Sequence, residues 1–215
     1  MNVEASLAAP SVRKMQHSAK KKTGRLHRDL RASLGDATAF GGMVGLGETY
    51  LPAFVLAVGL GELTAGLIAS VPLVAGGIMQ TVSPAAIRAL GSHKRWVVLC
   101  ATVQALTFIP LLLAAWFGRI SSVAVLVVAA LYWAAGLATG PAWNTWIGSI
   151  VPPAVRSRFF AVRTRASQAA VFSGFLLGGL ALHFASARNQ VTTAFAGLFA
   201  VAGLCRLPVR HGEAD

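Results

Sequence analysis

Six apolar stretches divide the chain, at about residues 37–58, 63–87, 96–117, 121–150, 164–185 and 191–207. A helix needs about 20 residues to cross the hydrocarbon core of a bilayer. The first five stretches meet that length, and the sixth is about one turn short. Backbone in lipid must satisfy its own hydrogen bonds, so runs of this length predict helices. The pattern therefore predicts an all-α integral membrane bundle of six transmembrane helices, one domain over 36–207. A polar tail over 1–35, disordered and cytoplasmic or else a surface helix bound to anionic lipid, precedes it. A short tail, 208–215, follows. Asp36 is placed to cap the first helix.

The sharpest interruption lies between the fourth and fifth stretches. There Pro152-Pro153 stops one helix, and Arg156, Arg158, Arg163 and Arg165 follow. A double proline is tolerated where water or protein can satisfy the freed backbone groups. Cytoplasmic loops retain Lys and Arg, which assigns this turn to the cytoplasmic side. The leader carries Arg13, Lys14, Lys20, Lys21, Lys22, Arg25, Arg28 and Arg31 against Glu4 and Asp29, and the second connection carries Arg88, Lys94 and Arg95. The C-terminal tail carries Arg206 and Arg210. Of 19 Lys and Arg, only Arg119 and Arg188 fall on the opposite side. Both termini are thus expected in the cytoplasm.

Composition agrees: 55% of the 215 residues are hydrophobic and 12% charged, about half the charge of a soluble domain. The net charge of +12 raises nucleic acid as a partner. The basic residues, however, sit in tails and between apolar runs, with no basic face alternating with aromatics, so no nucleic-acid partner is expected. Cys100 and Cys205 lie in or at the end of apolar segments and suggest neither a disulfide framework nor a metal site. The first apolar run is too long for a signal-peptide core.

Within the helices, Gly41/Gly45, Gly136/Gly140 and Gly174/Gly178 are each four residues apart. Such pairs share a helix face and permit close approach, as tight bundle packing or as a dimer contact. Pro52, Pro72, Pro110 and Pro141 fall inside helices 1 to 4, where kinks can line a cavity that opens and closes. Glu48 lies near the middle of helix 1. A carboxylate at that depth is costly and should face a watery cavity or a polar partner, or be protonated. It is the candidate for coupling protons or cations, or for contacting substrate; a protonated, purely structural Glu is the alternative. Tyr50, Gln80, Gln104, Asn144 and Gln168 are candidates for lining a polar pathway, each able instead to serve a structural hydrogen bond.

Arg88, Arg156, Arg158 and Arg163 are cytoplasmic gate or lipid-contact candidates. Arg165 fits snorkelling to phosphates, whereas Arg163 can equally bond the end of a neighbouring helix. Trp96, Trp116 and Tyr132 fit interfacial anchors; Trp143 and Trp146 flank Asn144 and share a face, which fits packing. His17, His27, His93, His183 and His211 show no ligand spacing. No nucleophile, phosphate-loop or dinucleotide motif occurs, so neither an enzyme nor an ATP-driven pump is expected, and no cofactor or metal.

The arrangement resembles the amino-terminal half of a major facilitator superfamily transporter. The stretch Pro141-Ala142-Trp143-Asn144-Thr145-Trp146 through Val151-Pro152 to Arg156-x-x-Phe159-Phe160-x-x-Arg163 is similar to the helix 4–5 region of one bacterial branch. Gly45-x-Gly47-Glu48-x-Tyr50 and Leu106-Thr107-Phe108-Ile109-Pro110 look like the same branch. The resemblance covers roughly 34–207. It implies secondary transport of a small-molecule solute by alternating access, in a bacterial inner membrane, through a pathway built partly from helices 1, 2, 4 and 5. The family's loop signature between helices 2 and 3 is reduced here to Arg88, Lys94 and Arg95 without its Asp. Relatives often carry an acidic residue where Ser149 stands and a Gly where Ser157 stands. The family fold has two six-helix halves, and this chain matches one. Two functions follow as expectations: a half-length transporter completed by a second half or a homodimer, or a non-transporting remnant or scaffold subunit binding another membrane protein.

Overall fold

The structure, a computed structural model, describes Gly24, Arg28, residues 30–151 and residues 153–207, without the side chains of 146–150 and 154. The remainder of the basic leader, Pro152, Arg210 and the side chains of Trp146 and Ser149 lie outside the described residues. Every regular element described is helical. In chain order these are α1 (30–46), a 3-10 turn at Glu48–Tyr50, α2 (Leu51–Ala57), α3 (Gly61–Leu90), α4 (His93–Leu106), α5 (Phe108–Phe117), α6 (Ser122–Ile150), α7 (Pro153–Ser186) and α8 (Val191–Arg206).

Five segments are long and apolar enough to cross a membrane: Leu30–Ala57, Gly61–Leu90, His93–Phe117, Ser122–Thr145 and Val155–Ser186. They are segments 1 to 5 below, and the shorter apolar α8 is segment 6. Segments 1, 2, 3 and 5 begin upstream of their apolar stretches. Hydropathy marks where lipid can be, whereas the helical ladder continues into polar sequence. Thus α7 already starts at Pro153, a residue suited to the first helical turn, and runs through all four arginines that follow. Segment 3 starts at His93 because the Ser92 hydroxyl accepts the Arg95 N–H at 3.3 Å as an N-cap. Gly91 and Gly118, both at φ 66°, end α3 and α5 in the left-handed conformation that glycine adopts without strain.

Two of the four prolines singled out in the sequence coincide with breaks. Proline lacks an N–H and its ring crowds the carbonyl four residues back. Pro52 and Pro110 so disturb the turns at Glu48 and Leu106, and segment 1 breaks at Gly47–Tyr50 and segment 3 at Thr107. Pro72 and Pro141 sit within continuous α-helix.

Segment 2 packs along segment 4, segment 3 along segment 6, and segment 3 against segment 4. Segment 1 crosses segment 5 at glycine: a Cβ at Gly45 would stand 3.0 Å from the Gly174 Cα, and one at Gly41 would stand 2.3 Å from the Ser167 carbonyl oxygen. Segment 6 lies against segment 1, with Ala202 close to Gly47 and Cys205 close to Gly42. Exchanging segments 1–3 for 4–6 turns this set of pairings into itself. Gly178 and the Gly136/Gly140 pair make no backbone crossing: a Cβ at Gly178 would meet the Tyr50 ring. Gly136 makes room for the Gln104 side chain, and Gly140 has nothing near it. The core at the centre is aromatic, with Phe54, Phe108, Tyr132, Phe195 and Phe199 all buried.

Candidate functional site

Glu48 stands in the break of segment 1, where the ladder is already interrupted. The Thr49 hydroxyl donates to the Val44 carbonyl at 2.9 Å, satisfying an acceptor that the break leaves open. The half-buried Glu48 carboxyl points inward, and its Oε2 accepts a 2.6 Å hydrogen bond from the Tyr132 hydroxyl. Tyr132 is 1% exposed. Phe108 meets its ring edge-on at 5.6 Å, and the Met43 sulfur lies 3.9 Å from its hydroxyl. A tyrosine buried to this degree needs a partner for its O–H, and the carboxylate supplies a strong one.

Beyond Tyr132 the polar interior continues. Gln104 on α4 is 2% exposed and Arg206 at the end of α8 is 7% exposed. The Arg206 Nε–H donates to Gln104 Oε1 at 2.6 Å, and the guanidinium lies 5.3 Å over the Phe40 ring. An arginine this deep is tolerated because its charge is hydrogen-bonded and faces an aromatic ring.

A second cluster closes the same end of the bundle. Arg163 on α7 reaches Asp36 on α1, Nη2 to Oδ2 at 3.4 Å. Its guanidinium stacks 3.8 Å over the Trp143 ring of α6, and Phe160 meets that ring edge-on. Asp36 also lies within the electrostatic reach of Arg206. The starts of segments 1 and 5 and the ends of segments 4 and 6 are thereby joined. Of the two roles open to Arg163 in the sequence, the structure has it bonding a neighbouring helix.

The structure turns Glu48 and Gln104 toward the interior, each with its own hydrogen-bond partner, and places the other sequence candidates elsewhere. Tyr50 is buried, but its hydroxyl donates to the Phe175 carbonyl on α7 and its ring fills the space at Gly178, a packing role. Gln80, Asn144 and Gln168 are exposed on the outer surface of segments 2, 4 and 5, and Arg88 and Arg158 are exposed at helix ends. Arg156 is half-buried and donates to the Val151 carbonyl at 3.2 Å. Asp36 bonds Arg163 rather than capping its helix.

Tyr132 and Arg206 were missed. Tyr132 fits an interfacial anchor by type, yet it lies well inside segment 4, a depth that could have identified it. Arg206 counts as a tail residue, yet it continues the buried face Phe195, Phe199, Ala202 at spacings of four, three and four, which places it inside. Trp96, also an expected anchor, is tied inward: its indole N–H donates to Ser83 Oγ at 2.6 Å, and Ser83 donates to the Ala138 carbonyl at 2.7 Å. Trp116 is 68% exposed at the end of α5, as an anchor would be. Among the described residues no group of three His, Cys, Asp or Glu is close enough to hold a metal ion.

No protein-family model, no curated protein and no solved structure matches the chain.

Proposed function

We propose that this chain is a membrane transport domain of the major-facilitator type, working by alternating access with a second six-helix half or a second copy of itself. Glu48 is its coupling or substrate-contacting carboxylate. The observation that carries the reading is the Glu48–Tyr132 pair. A carboxylate in mid-segment, bonded by a buried hydroxyl at a helix break, has the setting of a residue that exchanges protons or cations. A purely structural anchor would do better with neutral partners.

The pairing of segments supports the same reading. Such transporters carry inverted three-helix repeats inside each six-helix half, and exchange of segments 1–3 with 4–6 conserves the contacts here. The exposed amides Gln80, Asn144 and Gln168 are then groups that a second half covers, since lipid disfavours them. The Asp36–Arg163–Trp143 cluster is the cytoplasmic closure, in the orientation that the charge bias favours.

The test uses inside-out vesicles carrying the full chain and an internal pH-sensitive dye, challenged with a panel of amino acids, sugars, organic acids and lipophilic cations. At least one solute should dissipate the imposed pH gradient in wild type and not in Glu48→Gln. Equal responses from both proteins remove the coupling role. A chain that is monomeric in its native membrane, by cross-linking and native mass, removes the transport reading.

A further inference from the structure

A groove of about 240 Å³ runs down the outside of the bundle between segments 3 and 6. Its floor includes the buried rings of Phe108 and Phe199, and its rims include the exposed Leu106 and Ile109 on segment 3 and Leu204 on α8. The space exists because α8 presents Ala200 and Gly203 where larger side chains would fill it. The hydroxyl at its upper end, on Thr102, already donates to the Val98 carbonyl at 2.8 Å, so the lining presents almost nothing polar to a ligand.

The track leading out of the groove ends on charge. Leu106, Thr102, Leu99 and Arg95 follow one another on α4 at spacings of four, three and four, and so share a face. Leu99 and Arg95 are exposed, and Lys94 stands beside Arg95 in the first turn of the helix. Among the described residues neither cation is paired with a carboxylate. The positive end of the α4 dipole lies at the same level and also favours an anion.

We infer that this groove binds one anionic phospholipid, its phosphate at Arg95 and Lys94 and one acyl chain along the apolar lining. Dimensions decide the occupant. At 1.5 Å per residue, Thr102 lies about 10 Å and Ile109 about 21 Å from Arg95 along the helix. Half a bilayer is about 15 Å of hydrocarbon, and about 20–22 Å with its headgroup region. With Arg95 at the phosphates, the groove therefore begins inside the hydrocarbon and ends near the midplane, where a chain of that leaflet ends. A helix from a second copy is about 10 Å across and would fill about 800 Å³ over the same depth, far more than the groove holds. The charge bias puts this end in the cytoplasmic leaflet, where the anionic lipids are. A zwitterionic headgroup would bring its own cation against Arg95. The inference needs only that the chain spans a membrane, and stands apart from the transport proposed above.

The test uses the full chain in phosphatidylcholine nanodiscs carrying trace phosphatidylglycerol or phosphatidylcholine with a photoactivatable diazirine midway along one acyl chain. Adducts are mapped by mass spectrometry, and the exposed apolar face of α7 around Phe172 and Leu176 is the internal reference. On the α4–α5 and α8 peptides, phosphatidylglycerol should label about tenfold more than phosphatidylcholine, as two basic residues at the surface predict; the ratio on α7 should be much smaller. Lys94→Gln with Arg95→Gln should bring the groove ratio down to that of α7. Arg158→Gln, exposed at the start of α7, should leave the groove ratio unchanged. Ala200→Phe fills the groove and should cut labelling there severalfold while labelling of α7 holds.

Equal ratios on the groove and α7 peptides overturn the inference, as does a wild-type ratio in the Lys94/Arg95 double variant. Unchanged groove labelling in Ala200→Phe protein of wild-type helicity does the same. If excess inorganic phosphate displaces the label, the basic end takes free phosphate and the lipid is not its ligand. If cysteines placed at residues 106 and 204 cross-link between two copies, the face is a protein interface and the lipid assignment falls.

Discussion

Gly45→Ala is a one-methyl change whose cost follows from the crossing of segments 1 and 5. A Cβ at Gly45 would stand 2.3 Å from the Val171 carbonyl oxygen and 3.0 Å from the Gly174 Cα and the Phe175 nitrogen. All three are backbone atoms, so no rotamer change relieves the clash; the helices must separate by about 1 Å. A gap of that size forfeits about a quarter to a half of each dispersion contact along the crossing. Overpacking of this kind costs about 1–3 kcal/mol, and immovable neighbours argue for the upper end. Alanine returns about 1 kcal/mol of helix propensity over glycine, for a net loss of about 2 kcal/mol. Gly77→Ala on α3 is the matched control: nothing lies within 4 Å of its Cβ position, so only the favourable propensity remains. Identical chemistry should then give stabilities about 3 kcal/mol apart. The measurement is unfolding in mixed micelles titrated with sodium dodecyl sulfate and followed by circular dichroism. Equal midpoints for the two variants would refute the glycine crossing.

Other expectations follow from side chains that join helices. Ser83→Ala and Trp96→Phe should each destabilise by about 1 kcal/mol in the same unfolding titration. Their double variant should lose less than the sum, because Trp96 bonds both Ser83 and the Ala138 carbonyl. Arg163→Lys keeps a cation but not the flat face 3.8 Å above Trp143; it should lose most of what Arg163→Gln loses. A double-mutant cycle of Asp36→Asn with Arg163→Gln should return a coupling of about 1 kcal/mol, read from the same midpoints; zero coupling would leave the stacking contact as the latch. Cross-linking of cysteines placed at residues 38 and 164 should increase when that latch is intact and fall in Arg163→Gln.

The helical bundle was legible because the length of an apolar run is a property of the sequence alone. Partners are not. Gly41, Gly45, Gly174 and Gly178 share a spacing with Gly136 and Gly140, yet the first three meet the backbone of another helix, Gly178 meets the Tyr50 ring, Gly136 meets a glutamine and Gly140 has nothing within 4 Å. Gln80, Gln104, Asn144 and Gln168 have the same chemistry and similar surroundings in the sequence. Only Gln104 turns inward, because α4 lies between α6 and α8 and the other amides fall on faces with no neighbour. Glu48 was legible from cost alone, since a carboxylate in mid-helix needs an explanation whatever surrounds it. Tyr132 carries no such cost on paper. A tyrosine is as acceptable at an interface as inside, and depth within segment 4 was the one clue.

The two helix breaks explain why the inward polar groups lie where they do. They pack on each other: a Cβ at Gly47 would stand 2.5 Å from the Phe108 ring, the ring that also meets Tyr132. Each break leaves a backbone acceptor without its usual donor, and at each a threonine responds. Thr49 donates to the Val44 carbonyl and Thr107 to the Gln104 carbonyl, at 2.9 and 2.7 Å. The interior is therefore already polar at these two levels, and beside each break stands one inward polar side chain, Glu48 on segment 1 and Gln104 on segment 3. Placing a carboxylate beside backbone that has lost its regular ladder adds less desolvation cost than placing it in an intact apolar turn. The same location makes the Glu48–Tyr132 bond sensitive to bending at either break, because Phe108 and Gly47 move with the hinges while Tyr132 belongs to the unbroken α6. A change in the angle of segment 1 or 3 is thus felt at the bond between Tyr132 and the Glu48 carboxyl.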